Sequence, residues 1–437
     1  MALLLSISYT AIFIALIYRI PFFRYAGISR RIISVFFILK ILMGTIMFQV
    51  YSKYYPDRET ADIFKYFDDS EVMFRALQEN PKAFVLMLSG IGHETPELQH
   101  YYQQMKHWYR EFESNLYNDS HTIIRFNALA RLFSLGYYHV HTVFMCFLSL
   151  IGLIAIYRAF LPFFRNKSGY LLFAIFMLPS VLFWGSGVLK EGLLLFFLGL
   201  LLFHFFKITK KEYTFWSIFW IIVAPFMLFH TKFYVLVVAI PGMIVWLWCS
   251  TTNDRKPLLK FSIVIVGYFL ISLLIRYGIP AYDPYWVIYI KQRDFLGLAG
   301  LVESGSIIPI KELSPSPLVI LLAIPQAIFN VFFYPHIFQS LSLLNMMAAL
   351  ENLLLPASLI FSLFFLNKRN NIPLKPLLFS ITFVMGLYAL TGLITPVAGA
   401  IVRYKVPALP FIIIISMCLL DMEKLGKRFP YLRKLLQ

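Results

Sequence analysis

A chain of 437 residues that is 59% hydrophobic, 18% aromatic and only 14% charged departs from the roughly 45–50% apolar and 25% charged of soluble domains. Its apolar residues come in blocks of about 20, the length that crosses a bilayer. The polar stretches between them are too short for a separate soluble enzyme, and residue-by-residue alternation, the mark of an outer-membrane barrel, is missing. The net charge of +17 sits in short basic clusters between apolar blocks, as in cytoplasmic loops, so no nucleic-acid partner is expected. The predicted fold class is all-α: a polytopic transmembrane helical bundle of about 10–12 membrane segments with a partly helical extracytoplasmic loop domain.

In chain order, residues 1–51 hold the first two transmembrane helices, predicted over 2–17 and 32–51, with Arg19, Arg24, Arg30 and Arg31 between them. The positive-inside rule keeps those arginines in the cytoplasm and the N-terminus outside. No cleavable signal peptide is expected, because the positive charges follow the first apolar block. Residues 52–136 form the extracytoplasmic loop domain and hold 12 of the 22 acidic residues. Residues 137–276 return to the membrane with a span over 137–157, followed by the basic residues Arg158, Arg165 and Lys167. A hairpin over 171–206 carries Lys190 and Glu191 at its outer tip, and a second over 215–248 carries His230, Thr231 and Lys232. Lys207, Lys210, Lys211, Arg255, Lys256 and Lys260 mark the inside, and a span over 261–274 leads out again.

Residues 277–345 comprise a second outer loop to Ser316, then an apolar segment, 318–333, that contains Pro325 and ends at Tyr334-Pro335-His336. The charge pattern leaves room for one crossing before Lys368-Arg369, yet two apolar blocks are present. Segment 318–333 is therefore expected to be re-entrant or tilted and to line a cavity. Residues 346–437 supply the C-terminal transmembrane helices, a short outer loop with Arg403, and a basic cytoplasmic tail from Lys424 to Lys434. The protein is expected in the inner (cytoplasmic) membrane, multi-pass, with its active site facing the outside or periplasm. Cys146, Cys249 and Cys418, odd in number and set in apolar segments, predict no disulfide.

Candidate functional residues gather on the predicted outer side. Asp62, Tyr66, Asp68 and Asp69 follow the second span; on a helix, Asp62 and Tyr66 share a face. A carboxylate there can accept a proton from a hydroxyl, and three together can hold a divalent cation. Lys190, Lys232 and Arg403, with Glu191, His230 and His336 nearby, are cations where the positive-inside rule predicts few; several around one cavity suit a phosphate or pyrophosphate. Alternatively, Lys190 pairs with Glu191, and the other cations reach to the headgroups. The run 101–109 reads as a short aromatic helix, suited to the interface or to sugar rings. Asn118-Asp119-Ser120 reads as the cap of a helix that carries Arg125 and Asn127.

Asp62 and Tyr66, four apart in the first large outer loop, resemble the Asp-Glu-x-x-Tyr-type start of that loop in polyprenyl-phosphate-sugar-dependent glycosyltransferases of the GT-C superfamily. Residues 70–77 match the helix that follows it along the membrane surface. Arg403-Tyr404-Lys405-Val406-Pro407 resembles the Arg-Tyr-x-x-Pro near the end of many such enzymes, although Ile63 stands where a second acid is common. The hairpin 178–191 resembles membrane proteins of bacterial polysaccharide gene clusters. The resemblance implies an inverting hexosyltransferase-like enzyme of cell-surface glycan or polysaccharide biosynthesis. Asp62 is then the base, and Lys190, Lys232 and Arg403 hold the lipid phosphate. The partners it implies are a polyprenyl-phosphate-linked sugar donor, a glycan, lipid or protein acceptor, and membrane lipid; a divalent cation is a possible cofactor. The alternatives are a polymerase or ligase using pyrophosphate-linked oligosaccharides, and a non-catalytic lipid or solute transporter with charges at the bilayer midplane.

Overall fold

The computed structural model describes residues 1–24, 27–54, 57–109, 118–164, 167–252, 255–301, 306–339, 343–368 and 371–429. Arg165, Arg369 and Lys434 lie outside the described residues. Among the described residues every element is a helix and no strand forms; isolated β-bridges include Ile307–Val397 and Leu366–Leu420. It is an all-α, multi-pass membrane protein. Among the described residues 8 helices are long and apolar enough to span, or up to 9 with one bent pair, beside the shorter apolar helix Pro317–Phe333. The chain divides into two compact units. One comprises 1–156, 182–203 and 219–232, the other 157–181, 204–218 and 233–437.

In the first unit, α1 (Ala2–Arg19) and α2 (Arg30–Tyr54) precede a polar region of four helices: α3 (Asp62–Glu79), α4 (Pro81–Ser89), α5 (Pro96–Tyr102) and α6 (Ser120–Ser134). The membrane is re-entered by α7 (Tyr138–Phe160). Phe13 of α1 stacks on Phe147 of α7 at 4.3 Å, and the outer side of α1 stays exposed, as a lipid-facing helix does. Two short helices follow, α8 (Ser168–Phe176) in the second unit and α9 (Pro179–Trp184). Pro179 disfavours helix at the residue before it, so the predicted first arm of the hairpin is two pieces of 9 and 6 residues rather than a span.

The next helix, α10 (Lys190–Thr209), crosses α7 backbone to backbone: a Cβ on Gly199 would lie 2.0 Å from the Gly152 carbonyl oxygen. Such contacts drive helix association where lipid offers no hydrophobic gain. Between α9 and α10, residues 185–189 leave the helix and run along α2. Lys40 Nζ donates to the Gly185 carbonyl at 3.0 Å, Gly44 lies against the Ser186 carbonyl, and Tyr51 clusters with Leu189.

The polar region is docked rather than loose. Ile63, Phe64 and Phe67 of α3 pack with Met47, Tyr138 and Val188. Arg131 of α6 reaches across to α3, donating through Nε to Ser70 Oγ and through Nη2 to the Phe67 carbonyl, both at 2.9 Å. Asn80 caps α4 by accepting the Ala83 N–H at 3.2 Å, with Pro81 at its first position, where the missing N–H costs nothing. The predicted helix over 101–109 stops at Tyr102. Beyond it, Trp108 stacks on Tyr102 at 4.3 Å and on His121 at 3.8 Å and is 4% exposed. It is core of the loop domain, neither an interfacial face nor an open sugar platform.

The segment α11 (Phe215–Thr251), predicted as a hairpin with Lys232 at its tip, is two helices that meet at a kink at Lys232 (φ −156°, ψ 80°). Its 219–232 part belongs to the first unit and the rest to the second. The second unit continues with α12 (Pro257–Gly278), α13 (Pro284–Leu301), α14 (Pro317–Phe333), α15 (Leu343–Phe364), α16 (Leu374–Ile394), α17 (Ala398–Tyr404), α18 (Leu409–Leu419) and α19 (Met422–Arg428). Helix α16 is its hub, packed by α13, α14 and α18. The predicted outer loop 277–316 therefore contains a helix, α13. From it, Gln292 donates to the carbonyls of Lys311 at 3.0 Å and Leu393 at 2.7 Å and accepts the Leu313 N–H at 2.8 Å, fastening the extended segment before α14. That helix stays helical through Pro325.

Candidate functional site

Lys190 opens α10 and Lys232 sits at the break in α11. Both are buried, with side chains 4% and 8% exposed, and both turn to Asp119, the residue before α6. Lys190 Nζ lies 2.8 Å from Asp119 Oδ1 and Lys232 Nζ 3.2 Å from Oδ2. Ser120 Oγ is 3.4 Å from Lys190 Nζ, and the Tyr66 ring centroid is 5.1 Å from it. Thr122 Oγ1 donates to the His230 carbonyl at 2.8 Å, so α6 grips the break that presents Lys232. The His230 ring packs against Phe226 at 4.6 Å.

Two expectations are corrected here. Lys190 does not pair with Glu191: consecutive helical residues point about 100° apart, and Asp119 supplies the carboxylate. Glu191 is instead buried at 1% exposure. Asp119 is not a helix cap in the usual sense, for its side chain makes no cap hydrogen bond. Asn118 Oδ1 takes the Ser120 N–H at 3.0 Å in its place.

The three carboxylates of α3 have separate engagements. Asp62, on the first turn, pairs with Lys65 at 3.0 Å and is partly exposed. Asp62 and Lys65 also act on His107, whose pKa is lowered chiefly by burial and then by the Lys65 charge, with Asp62 opposing. Asp68 is held at the surface by Arg58, through two bonds of 2.7 and 2.8 Å. Asp69 is buried and accepts the N–H groups of Lys106 at 3.0 Å and His107 at 2.8 Å. Burial outweighs those two bonds and pushes its pKa up to about 6. Asp68 and Asp69 are thus a surface ion pair and a loop clamp. Among the described residues, no group of three or more His, Cys, Asp or Glu side chains is placed to hold a metal ion.

The helix of α6 does not turn Arg125 and Asn127 to a shared cavity. Arg125 Nε donates to the Met87 carbonyl at 2.9 Å, and the fully buried Asn127 bonds His141 at 2.9 Å. In the second unit, Arg403 is buried at 9% exposure on α17 rather than carried in an open loop. The His336 ring lies 4.1 Å from that of Tyr334.

Charges are not confined to the membrane edges, as the sequence suggested. Lys40, fully buried in mid-α2, faces the unwound turn. Glu351, 4% exposed within α15, accepts the Ser180 N–H at 2.9 Å on Oε2, while Oε1 has no hydrogen-bond partner. Lys405 donates to the Val331 carbonyl at 3.0 Å and to Asn352 Oδ1 at 2.5 Å. Lys40 and Glu351 are lone charged letters in apolar runs, the signal by which intramembrane functional residues can be found.

Of the predicted site residues, then, Tyr66, Lys190 and Lys232 come together, with His230 contributing through its backbone. Asp62 stands one helical turn from Tyr66 on the same face, about 6 Å along the axis. Asp119 and Ser120 complete the group without having been singled out for it. Compared with protein-family models, with curated proteins and with solved structures, the chain matches none.

Proposed function

We propose that the protein is an integral membrane glycosyltransferase that moves a sugar from a polyprenyl-phosphate-linked donor to an acceptor hydroxyl on the outer membrane face, in cell-surface glycan or polysaccharide biosynthesis. One observation carries the reading: two buried lysines from distant apolar helices meet beside Tyr66, on the helix whose first turn bears Asp62. Lys190 and Lys232 suit the phosphate of the donor. Asp62 takes the proton of the acceptor hydroxyl, whose oxygen attacks the sugar C1 with inversion. The C1–O bond to phosphate breaks, and the polyprenyl phosphate leaves with the electron pair. Its added negative charge is met by fixed ammonium groups, an often large share of catalysis.

The test is sugar transfer from a polyprenyl-phosphate donor by the purified full chain. Asp62→Asn should lower turnover by roughly 10²–10⁴-fold with donor binding kept. Lys190→Met and Lys232→Met should each weaken donor binding and turnover together. Full turnover in Asp62→Asn would remove Asp62 from the reaction. The ion pair that already engages Asp62 through Lys65 favours a second reading, a polymerase or ligase using a pyrophosphate-linked oligosaccharide. Activity with that donor alone, indifferent to Asp62→Asn, would establish it. The buried Lys40, Glu351 and Lys405 are charges of the kind transporters use; movement of a lipid-linked sugar across proteoliposomes without transfer would establish that class instead.

A further inference from the structure

We propose that Asp119 is a built-in competitor for the phosphate seat: it holds Lys190 and Lys232 as two phosphate oxygens would, and an incoming phosphate takes the lysines by displacing it. This rests on the reading of the two lysines as phosphate contacts. Each carboxylate oxygen serves a different ammonium group, at 2.8 and 3.2 Å, the bridging arrangement that a tetrahedral phosphate also offers. The Asp119 side chain is 21% exposed, and the lysines behind it are 4% and 8% exposed. The carboxylate is therefore the member of the group nearest an approaching ligand.

Its chemistry is also unusual for its position. An aspartate before a helix ordinarily turns its oxygens back to the N–H groups of the first turn. Asp119 makes no such bond, and Asn118 satisfies the Ser120 N–H, so α6 does not depend on the Asp119 carboxylate for its start. Nor do the lysines depend on it for their places. Lys190 is set by the start of α10 and by Tyr66, and Lys232 by the break that Thr122 grips through the His230 carbonyl. The seat survives when the carboxylate swings away.

A competitor of this kind lowers the affinity for donor and product alike. The product matters more. A phosphodiester donor carries one negative charge, whereas the released phosphomonoester carries about −1.5 to −2 at neutral pH and would otherwise be held the more tightly by two lysines. Return of Asp119 speeds its release.

The experiment titrates the full chain in detergent with farnesyl phosphate, using farnesol as the uncharged control. Asp119→Asn should bind farnesyl phosphate roughly tenfold more tightly than the native chain, about 1.4 kcal/mol, with farnesol unchanged. Equal or weaker binding would make Asp119 a positioning residue and overturn the inference. A second measurement needs no variant: farnesyl phosphate, but not farnesol, should increase modification of Asp119 by a water-soluble carbodiimide. Unchanged or reduced modification would likewise overturn the inference. Titration with inorganic phosphate, and with nanodiscs containing phosphatidylglycerol, tells whether a free ion or a membrane headgroup serves as well as the lipid phosphate. If the native chain, Lys190→Met and Lys232→Met all bind farnesyl phosphate no better than farnesol, the phosphate reading itself fails. That result is distinct from a failure of Asp119→Asn alone.

Discussion

Replacing Gly44 by alanine tests the seating of the unwound turn on α2. Within a helix, alanine is favoured over glycine by about 1 kcal/mol, so propensity alone predicts a more stable protein. The added Cβ, however, would lie 2.6 Å from the Ser186 carbonyl oxygen and 2.5 Å from Thr142 Cγ2, where ordinary contact begins at 3.4 Å. The turn must retreat by about 0.8 Å. Carried to the neighbouring Gly185 carbonyl, that shift stretches the Lys40 bond from 3.0 Å beyond hydrogen-bonding range, at a cost of about 1.5–3 kcal/mol for a charged donor. The net effect is a destabilisation of about 0.5–2 kcal/mol, or a melting temperature lower by about 1–8 °C for a unit of this size. A fluorogenic thiol dye reads the transition directly, because all three cysteines are buried thiols outside any disulfide and Cys146 bonds the Ser186 carbonyl itself at 3.4 Å. Gly267→Ala in α12, where a Cβ meets nothing within 4 Å, is the control and should melt no lower than the native chain. A Gly44→Ala protein as stable as that control would refute the contact between α2 and the turn.

Three further outcomes are expected. Asp69 has its pKa raised to about 6 in the folded protein. Its contribution, about 3 kcal/mol by the shift from 3.8, is therefore full below pH 4 and lost as pH rises through 6; amide-exchange protection at Lys106 and His107 should fall over that window, and Asp69→Asn should abolish the dependence. Arg131→Met should cost about 3 kcal/mol by stranding the Phe67 carbonyl and the Ser70 hydroxyl, and should expose α3 to limited proteolysis; an intact α3 would show that α6 does not hold it. Lys405→Met strands the Val331 carbonyl and Asn352 Oδ1, removes the positive charge that acts on Glu351, and should cost about 1–3 kcal/mol. The double variant with Glu351→Gln should recover part of that loss, whereas additive losses would show that the two charges do not interact.

The spans were legible because a bilayer imposes length and apolarity on them: α1, α2, α7, α12, α15 and α16 fall where composition places them. The breaks were less so. Pro179 and the Gly185-Ser186-Gly187 run announce a turn, but not that it lies against α2, which depends on Lys40 and Gly44 far away in sequence. Helix α13 was missed because its mixture of aromatic and charged residues has no clean period. At the site, Lys190 and Lys232 stood out as cations out of place, and Tyr66 by its spacing from Asp62. The pairing of both lysines with Asp119 had no local signal, since Asn118-Asp119-Ser120 reads as a cap and only the fold reveals which member does the capping. Lys40 and Glu351 were visible as single charges, yet their burial among α-helices is a property of packing.

The contact between Lys405 and Asn352 joins residues 53 positions apart, and it constrains how the protein can be made. At about 5–20 residues per second, Asn352 joins the growing chain roughly 3–10 s before Lys405. During that interval Glu351 has the Ser180 N–H, already made, but not its balancing cation. A charged residue mid-helix is tolerated at insertion for about 2.5–3.5 kcal/mol, so α15 enters the bilayer at a disadvantage that only the C-terminal segment removes. Completion of the second unit is thus tied to completion of the chain. A polypeptide that stops between α15 and α17 displays an uncompensated carboxylate within the membrane, a feature by which proteases can distinguish an unfinished copy from a finished one.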